Sequence, residues 1–176
     1  MGVAVSPSQE DMDWLVEVIN EYSTATRVAA DELGGALTQL RGGPPLAAGL
    51  SVEDAVAVAN AWFEVFRAAP DAQAVAATLN ELLDQASPAV VAVCAGDTVR
   101  GEVQMASAVT DTTRLAAWGA LCLLDLVASA GLDRLGLCAG DRCVDVYVDR
   151  SPRRNRRYCS QLCQTRERVH RFRERS

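Results

Sequence analysis

Read as a pattern of apolar and polar positions, the chain opens on a helical segment. In SQEDMDWLVEVINEYSTATRVAADEL, residues 8–33, Trp14, Leu15, Val18 and Ile19 recur at helical spacing, which places them on one face of an α-helix. Ser8 followed by acidic residues is a start signal, and the Ser-Thr-Ala-Thr run at 23–26 is a point of interruption. Residues 34–49, GGALTQLRGGPPLAAG, read as a Gly/Pro loop. A second helix over 51–69 begins with the cap signal Ser51-x-x-Asp54, carries Val58, Trp62 and Phe66 on one face, and ends at Pro70. A third covers 71–86 and stops at Ser87-Pro88. The texture then changes: AVVAVCA and VRGEVQMA flank GDT, the signature of a β-hairpin. A long helix over 110–131 is capped by Thr110 or Asp111 and stopped by Gly131. Its apolar residues run most of the way round, so it is expected at the centre of the body.

The last quarter has a different rhythm. VDVYVD, residues 144–149, alternates strictly and predicts a strand; RSPRRN is a turn, and RRY returns as a second strand. From Cys159 the spacing is helical, with Leu162, Val169 and Phe172 as the expected packing stripe. The predicted fold class is α+β. A mainly helical body with a small β-hairpin occupies 8–135, and a treble-clef-like unit of knuckle, β-hairpin and helix occupies 136–176.

Four cysteines lie in that unit. Cys138 and Cys143 form one close pair, Cys159 and Cys163 another, with fifteen residues between the pairs. Two close pairs at this separation predict a four-thiolate zinc site. A closed site of this kind leaves no position for a substrate, so the zinc is expected to be structural. A redox switch and an iron–sulfur cluster are the alternatives. Cys94 and Cys122 have no ligand-type neighbours in sequence and are expected to be buried as small hydrophobes. His170 lies two turns beyond Cys163, too far along a regular helix to share the metal, and is expected at the surface. No nucleophile or carboxylate pair accompanies it, so the sequence makes no case for an enzyme.

Charge sharpens the division of the chain. Across 176 residues the net charge is −6 and every basic side chain except one histidine is arginine. Residues 138–176 hold eleven arginines against five acidic residues, a local charge of +6; residues 1–137 hold six against eighteen, a local charge of −12. A basic segment on an acidic body is the distribution of a nucleic-acid-binding tail, or of a tail docked on its own body. Arg150, Arg153, Arg154, Arg156 and Arg157 in the turn, and Arg166, Arg168, Arg171 and Arg175 on the helix, are the candidate phosphate contacts. The bland alternative is a solvated charged face. The arginine, alanine and valine usage is that of a GC-rich bacterial genome. No secretory signal precedes the first helix, and residues 115–132 are interrupted by Asp125 and short for a membrane span. A cytoplasmic setting that keeps the cysteines reduced is expected.

The run C-x4-C, then DRSPRRNRRYCS, then a further Cys and an Arg, resembles the CGNR zinc-finger family. The matching positions are Cys138, Cys143, Asp149, Ser151, Arg156, Arg157, Tyr158, Cys159, Ser160, Cys163 and Arg166. Gln164-Thr165 stands where the family has Gly-Asn. The resemblance implies structural zinc, a DNA partner and a role as a transcription regulator. In that family the finger usually follows an ABATE-type domain of stress-induced regulators; residues 12–135 resemble it more loosely, through an early VIN…R segment, the LNELL helix, the hairpin and the long Ala/Leu helix. The other readings are a protein-interaction or oligomerisation module, with a homodimer among its forms, and a regulator that senses a small-molecule effector through the N-terminal domain, at Trp14, Trp62 or Trp118.

Overall fold

The computed structural model describes residues 3–4 and 8–173. Helix α1 (Gln9–Tyr22) starts at Ser8, whose hydroxyl accepts from the Asp11 amide while the Asp11 carboxylate accepts from the Ser8 amide. Such a reciprocal cap satisfies two donors that the first turn leaves open. The predicted 8–33 helix breaks at Ser23, and a short α2 (Thr24–Ala29) resumes beyond it. The break has a partner in space: the side chain of Asn60 accepts from the Thr24 amide at 2.8 Å and donates to the Thr24 hydroxyl at 3.1 Å. The loop that follows contains one 3-10 turn, Pro45–Ala47.

Helix α3 (Val52–Ala68) carries the same reciprocal cap between Ser51 and Asp54. Helix α4 (Ala72–Ala86) is capped by Asp71 and ends on Ser87 at φ 44°. Helix α5 (Asp111–Ala130) starts at Thr110 and stops at Gly131, where φ is 101°. Helices α1, α3, α4 and α5 share one core. It is built from Leu15, Ile19, Val58, Trp62, Phe66, Leu79, Leu115 and Leu123, with smaller side chains between them. Burying each large side chain contributes about 1.5–3 kcal/mol.

Trp14 meets Trp62 and Trp118 edge to face at centroid distances of 6.2 and 5.8 Å, and Trp62 and Trp118 lie tilted to each other at 6.2 Å. Gly119 makes this possible, because a Cβ there would collide with the Trp62 indole. The three rings pack between the helices, with Trp62 and Trp118 buried and Trp14 half-buried.

Helix α5 is long and apolar enough to cross a membrane by length and composition. Here it is the core helix of the body, packed on α1, α3 and α4.

Strands β1 (Val3–Ala4), β2 (Ala89–Ala95) and β3 (Thr98–Gln104) form an antiparallel sheet in the order β1-β3-β2. The β2–β3 hairpin is the predicted one, but its outer face is uncovered. Cys94 is therefore exposed rather than buried, whereas Cys122 in α5 is buried as expected, and its thiol is pushed up by burial.

After the 3-10 turn Leu132–Arg134, β4 (Leu135–Leu137) pairs antiparallel with β5 (Val146–Val148), and α6 (Gln161–Arg173) closes the described chain. Val146, Tyr147 and Val148 are all buried, so the predicted alternation does not give a strand with one wet face. Leu135, Val146 and Val148 belong to the helical core. Asn20 on α1 fixes β5 in place, donating to the Val146 carbonyl and accepting from the Val146 amide at 3.0 and 2.8 Å.

Candidate metal centre and arginine surface

The cysteine site grows from the β4–β5 hairpin. The knuckle 138–145 is the loop of that hairpin, closed by the Cys138 amide on the Asp145 carbonyl at 2.8 Å and the Cys143 amide on the Gly140 carbonyl at 3.2 Å. The returning strand predicted at 156–158 does not form; β4 has already taken its place beside β5. Residues 156–158 pass under the knuckle instead, with the Arg157 carbonyl accepting from the Ala139 amide at 2.8 Å. Cys159 precedes α6 rather than lying on it. Ser160 caps the helix, its hydroxyl accepting from the Cys163 amide at 3.2 Å, which puts Cys163 in the first turn. The Cys159 amide points at Cys138 Sγ, 3.3 Å away.

Four side chains from three places thus converge. The sulfurs of Cys138, Cys143, Cys159 and Cys163 all lie within 4.8 Å of one another. Cys143 to Cys159 is 3.6 Å and Cys159 to Cys163 is 3.5 Å. A tetrahedral zinc with bonds near 2.3 Å requires sulfur–sulfur edges of about 3.8 Å. The donor set fits: four thiols, no carboxylate or imidazole among them, and a backbone N–H already aimed at one sulfur. Without a cation, burial disfavours the thiolate form of part of the group. Burial pushes Cys143 up to about 12 and raises Cys159 as well. Burial also opposes the Cys163 thiolate, but hydrogen bonds from Ser160 and then the other thiols outweigh it and lower its pKa. A bound cation reverses this balance by stabilising all four thiolates.

Residues 134–176 match the family model of the CGNR zinc finger. The C-terminal segment is a CGNR zinc finger. No curated protein sequence matches the chain. Its four cysteines are positioned to hold the structural zinc, and His170 lies outside the ligand cluster.

The finger's arginines divide by what they touch. Arg150 pairs with Asp13 of α1 at 2.7 Å, and Arg154 with Asp133 at 2.9 Å. These two tie the loop to the acidic body. Arg156 is structural: it donates to the carbonyls of Tyr158 and Cys159 and lies over the Tyr147 ring, 4.8 Å from its centroid. Gly136, opposite Tyr147, leaves room for that ring, since a Cβ there would strike it. Arg171 bonds Glu167 at 3.0 Å. Arg153, Arg157, Arg166 and Arg168 are exposed. Arg175 lies outside the described residues.

Two grooves run along this surface. One, of about 420 Å³, is walled by Asn155, Arg156, Arg157, Ser160 and Gln161; the other, of about 410 Å³, by Glu167, Arg168, Arg171 and Phe172. They share Tyr158 and Gln164. Arg166 is on a different side, in a smaller hollow with Arg142, Cys143, Cys163 and His170.

The apolar residues of α6 do not pack as expected. Leu162 is 77 % exposed, Val169 44 % and Phe172 73 %. The helix is held at its first turn by the cysteine cluster and no residue of it is buried.

Three further residues matter here, of which Asn20 and Asp149 stand in the runs that carry the family resemblance and Arg134 has no signal in the local pattern. Arg134 donates to the carbonyls of Asp149 and Ser151 at 2.8 and 2.7 Å. Asn20 docks β5. Asp149 is buried, and its carboxylate accepts from the amides of Ser151 and Arg156, both at 2.8 Å.

Proposed function

We propose that the chain is a DNA-binding transcription regulator of the bacterial cytoplasm, in which the zinc finger lays an arginine track on the phosphate backbone. The observation that carries the reading is the pair of grooves meeting at Tyr158 and Gln164, with Arg157 at one end and Arg168 and Arg171 at the other. Arginine forks fit phosphate oxygens, and an aromatic ring with a side-chain amide between them supplies stacking and base-edge hydrogen bonding. Zinc supplies only the fold in this reading, since four thiolates fill its coordination sphere. The N-terminal body is read as ABATE-like, and no catalysis is assigned to it.

Fluorescence anisotropy of the zinc-loaded chain on a random-sequence DNA duplex tests the reading. Contacts from Arg153, Arg157, Arg168 and Arg171 give a log–log salt slope of about −3.6. Arg157→Ala with Arg168→Ala should weaken binding at least tenfold and flatten the slope by about two, while Arg154→Ala leaves both nearly unchanged. Equal binding by the double variant sinks the assigned surface, and no binding by the parent at low salt sinks the function.

One observation favours a second reading, a protein-docking finger: the exposed Leu162, Val169 and Phe172 on α6. Loss of a protein partner, with DNA binding intact, on Leu162→Ser would support it.

A further inference from the structure

Among the described residues, strand β2 is an edge strand, with β3 on one side and no strand on the other. Natural sheets blunt such edges with charges, prolines, bulges or short length. Here none of these devices is present. Ala89–Ala95 is seven residues long, reads AVVAVCA without a charge or proline, and pairs with β3 in unbroken register. Among the residues of β2 whose burial is described, 89–94, none joins the hydrophobic core or packs against it. Val90 is 71 % exposed, and Ala92 and Cys94 are exposed too. The sheet has its third strand on the far side of β3 and buries Val103 there, so the uncovered part is the β2 side.

The sequence of the strand indicates what covers it. A-V-V-A-V-C-A has the same size pattern read in either direction: small, medium, medium, small, medium, medium, small. Antiparallel pairing of the strand with itself about Ala92 sets Ala89 against Ala95, Val90 against Cys94, Val91 against Val93 and Ala92 against Ala92. A two-fold interface must be self-complementary, and this register is. No charge meets a like charge across it.

We propose that β2 pairs with β2 of a second copy of this chain, joining two three-stranded sheets into one six-stranded sheet in the order β1-β3-β2-β2-β3-β1. The dimer surface is separate from the cysteine cluster and the arginine track, so it stands whether or not the finger binds DNA.

Three variants of the full zinc-loaded chain test it. In the proposed register Val90 faces the partner's Cys94, with Cα atoms about 4.5–5.5 Å apart, inside the range a disulfide spans. The two Cys94 residues are four positions out of register, about 13 Å along the strand. Mild oxidation should therefore leave the parent uncrosslinked and convert Val90→Cys to a covalent dimer, and Val90→Cys with Cys94→Ser should lose that crosslink. Ala92→Lys opposes two like charges at the dyad on an exposed position. By sedimentation it should fall from twice the 18.8 kDa chain mass to the monomer, with unchanged zinc content and helical circular dichroism. A monomeric parent at high micromolar concentration overturns the proposal. So does a dimer that survives Ala92→Lys, or one in which Val90→Cys fails to crosslink to Cys94.

Discussion

Asp149 shows how much one side chain organises. Its backbone is pinned on both sides by Arg134, through the Asp149 amide on the Arg134 carbonyl and the Arg134 guanidinium on the Asp149 carbonyl, each at 2.8 Å. Its carboxylate then takes the amides of Ser151 and Arg156, which folds the arginine loop back on itself. Burial by itself would raise this carboxyl; donors on Ser151 and the Arg156 amide, with the Arg134 charge, outweigh it and hold its pKa below the ordinary carboxylate value. A depressed folded-state pKa means the stabilisation is present at pH values above the unfolded value near 4 and is lost as pH falls through the folded one. Asp149→Asn puts an N–H donor where an acceptor is needed. It should lower stability near pH 7 by about 1–3 kcal/mol. The gap from the parent should shrink toward pH 3, and paired denaturant melts at the two pH values check both halves. A gap that stays constant with pH would mean the charge is not what holds the loop.

At the scale of elements, the β4–β5 hairpin belongs to two structures at once. Its strands contribute Leu135, Val146 and Val148 to the helical core, and its loop carries Cys138 and Cys143. Asn20 bonds both backbone groups of Val146. Asn20→Ala leaves a half-buried amide and carbonyl unpartnered, at about 2 kcal/mol. For a chain of this size the melting temperature should fall by about 4–8 °C. Thermal melts of zinc-loaded protein test this, and an unchanged midpoint would place the anchoring of β5 in its apolar packing alone. The helices were legible in the sequence because caps and apolar spacing are local: Ser8 with Asp11, Ser51 with Asp54 and Thr110 all sit where the pattern puts them. The break at Ser23 takes its partner from Asn60 on another helix, and a pattern over neighbouring residues does not carry that. The cysteine ligands were equally legible, since ligand spacing is a sequence property. The pairing of β5 was not. Residues 135–137 and 156–158 are both short candidates, and the choice is made by core burial of Leu135. The sorting of the arginines was hidden for the same reason, because Asp13 and Asp133, which claim Arg150 and Arg154, lie far from them in the chain.

Across the whole molecule, the acidic body and the basic finger are joined by the shared core, by Asn20, and by the ion pairs of Arg150 with Asp13 and Arg154 with Asp133. Exposed pairs of this kind contribute little each, about 0–1 kcal/mol. The order of α6 must come from somewhere else, because no residue of it is buried. The cysteine cluster is what remains. Four-thiolate zinc sites supply about 10–16 kcal/mol in apparent terms, and ligands rarely hold their geometry without the metal. Removing zinc with a strong chelator should therefore divide the chain. Hydrogen exchange at 138–145 and along 156–173 should rise by orders of magnitude, while α3 and α5, buried around Trp62 and Trp118, keep their protection. Strand β5 should lie between these limits, since Val146 and Val148 stay packed in the helical core after the knuckle loosens. Cys159→Ser should reproduce the same division and lower the bound zinc below one per chain. If α6 kept its protection in the metal-free protein, the cysteine cluster would not be what orders the finger. If α3 and α5 lost theirs as well, the hairpin would be coupling the metal to the entire core through β4 and β5.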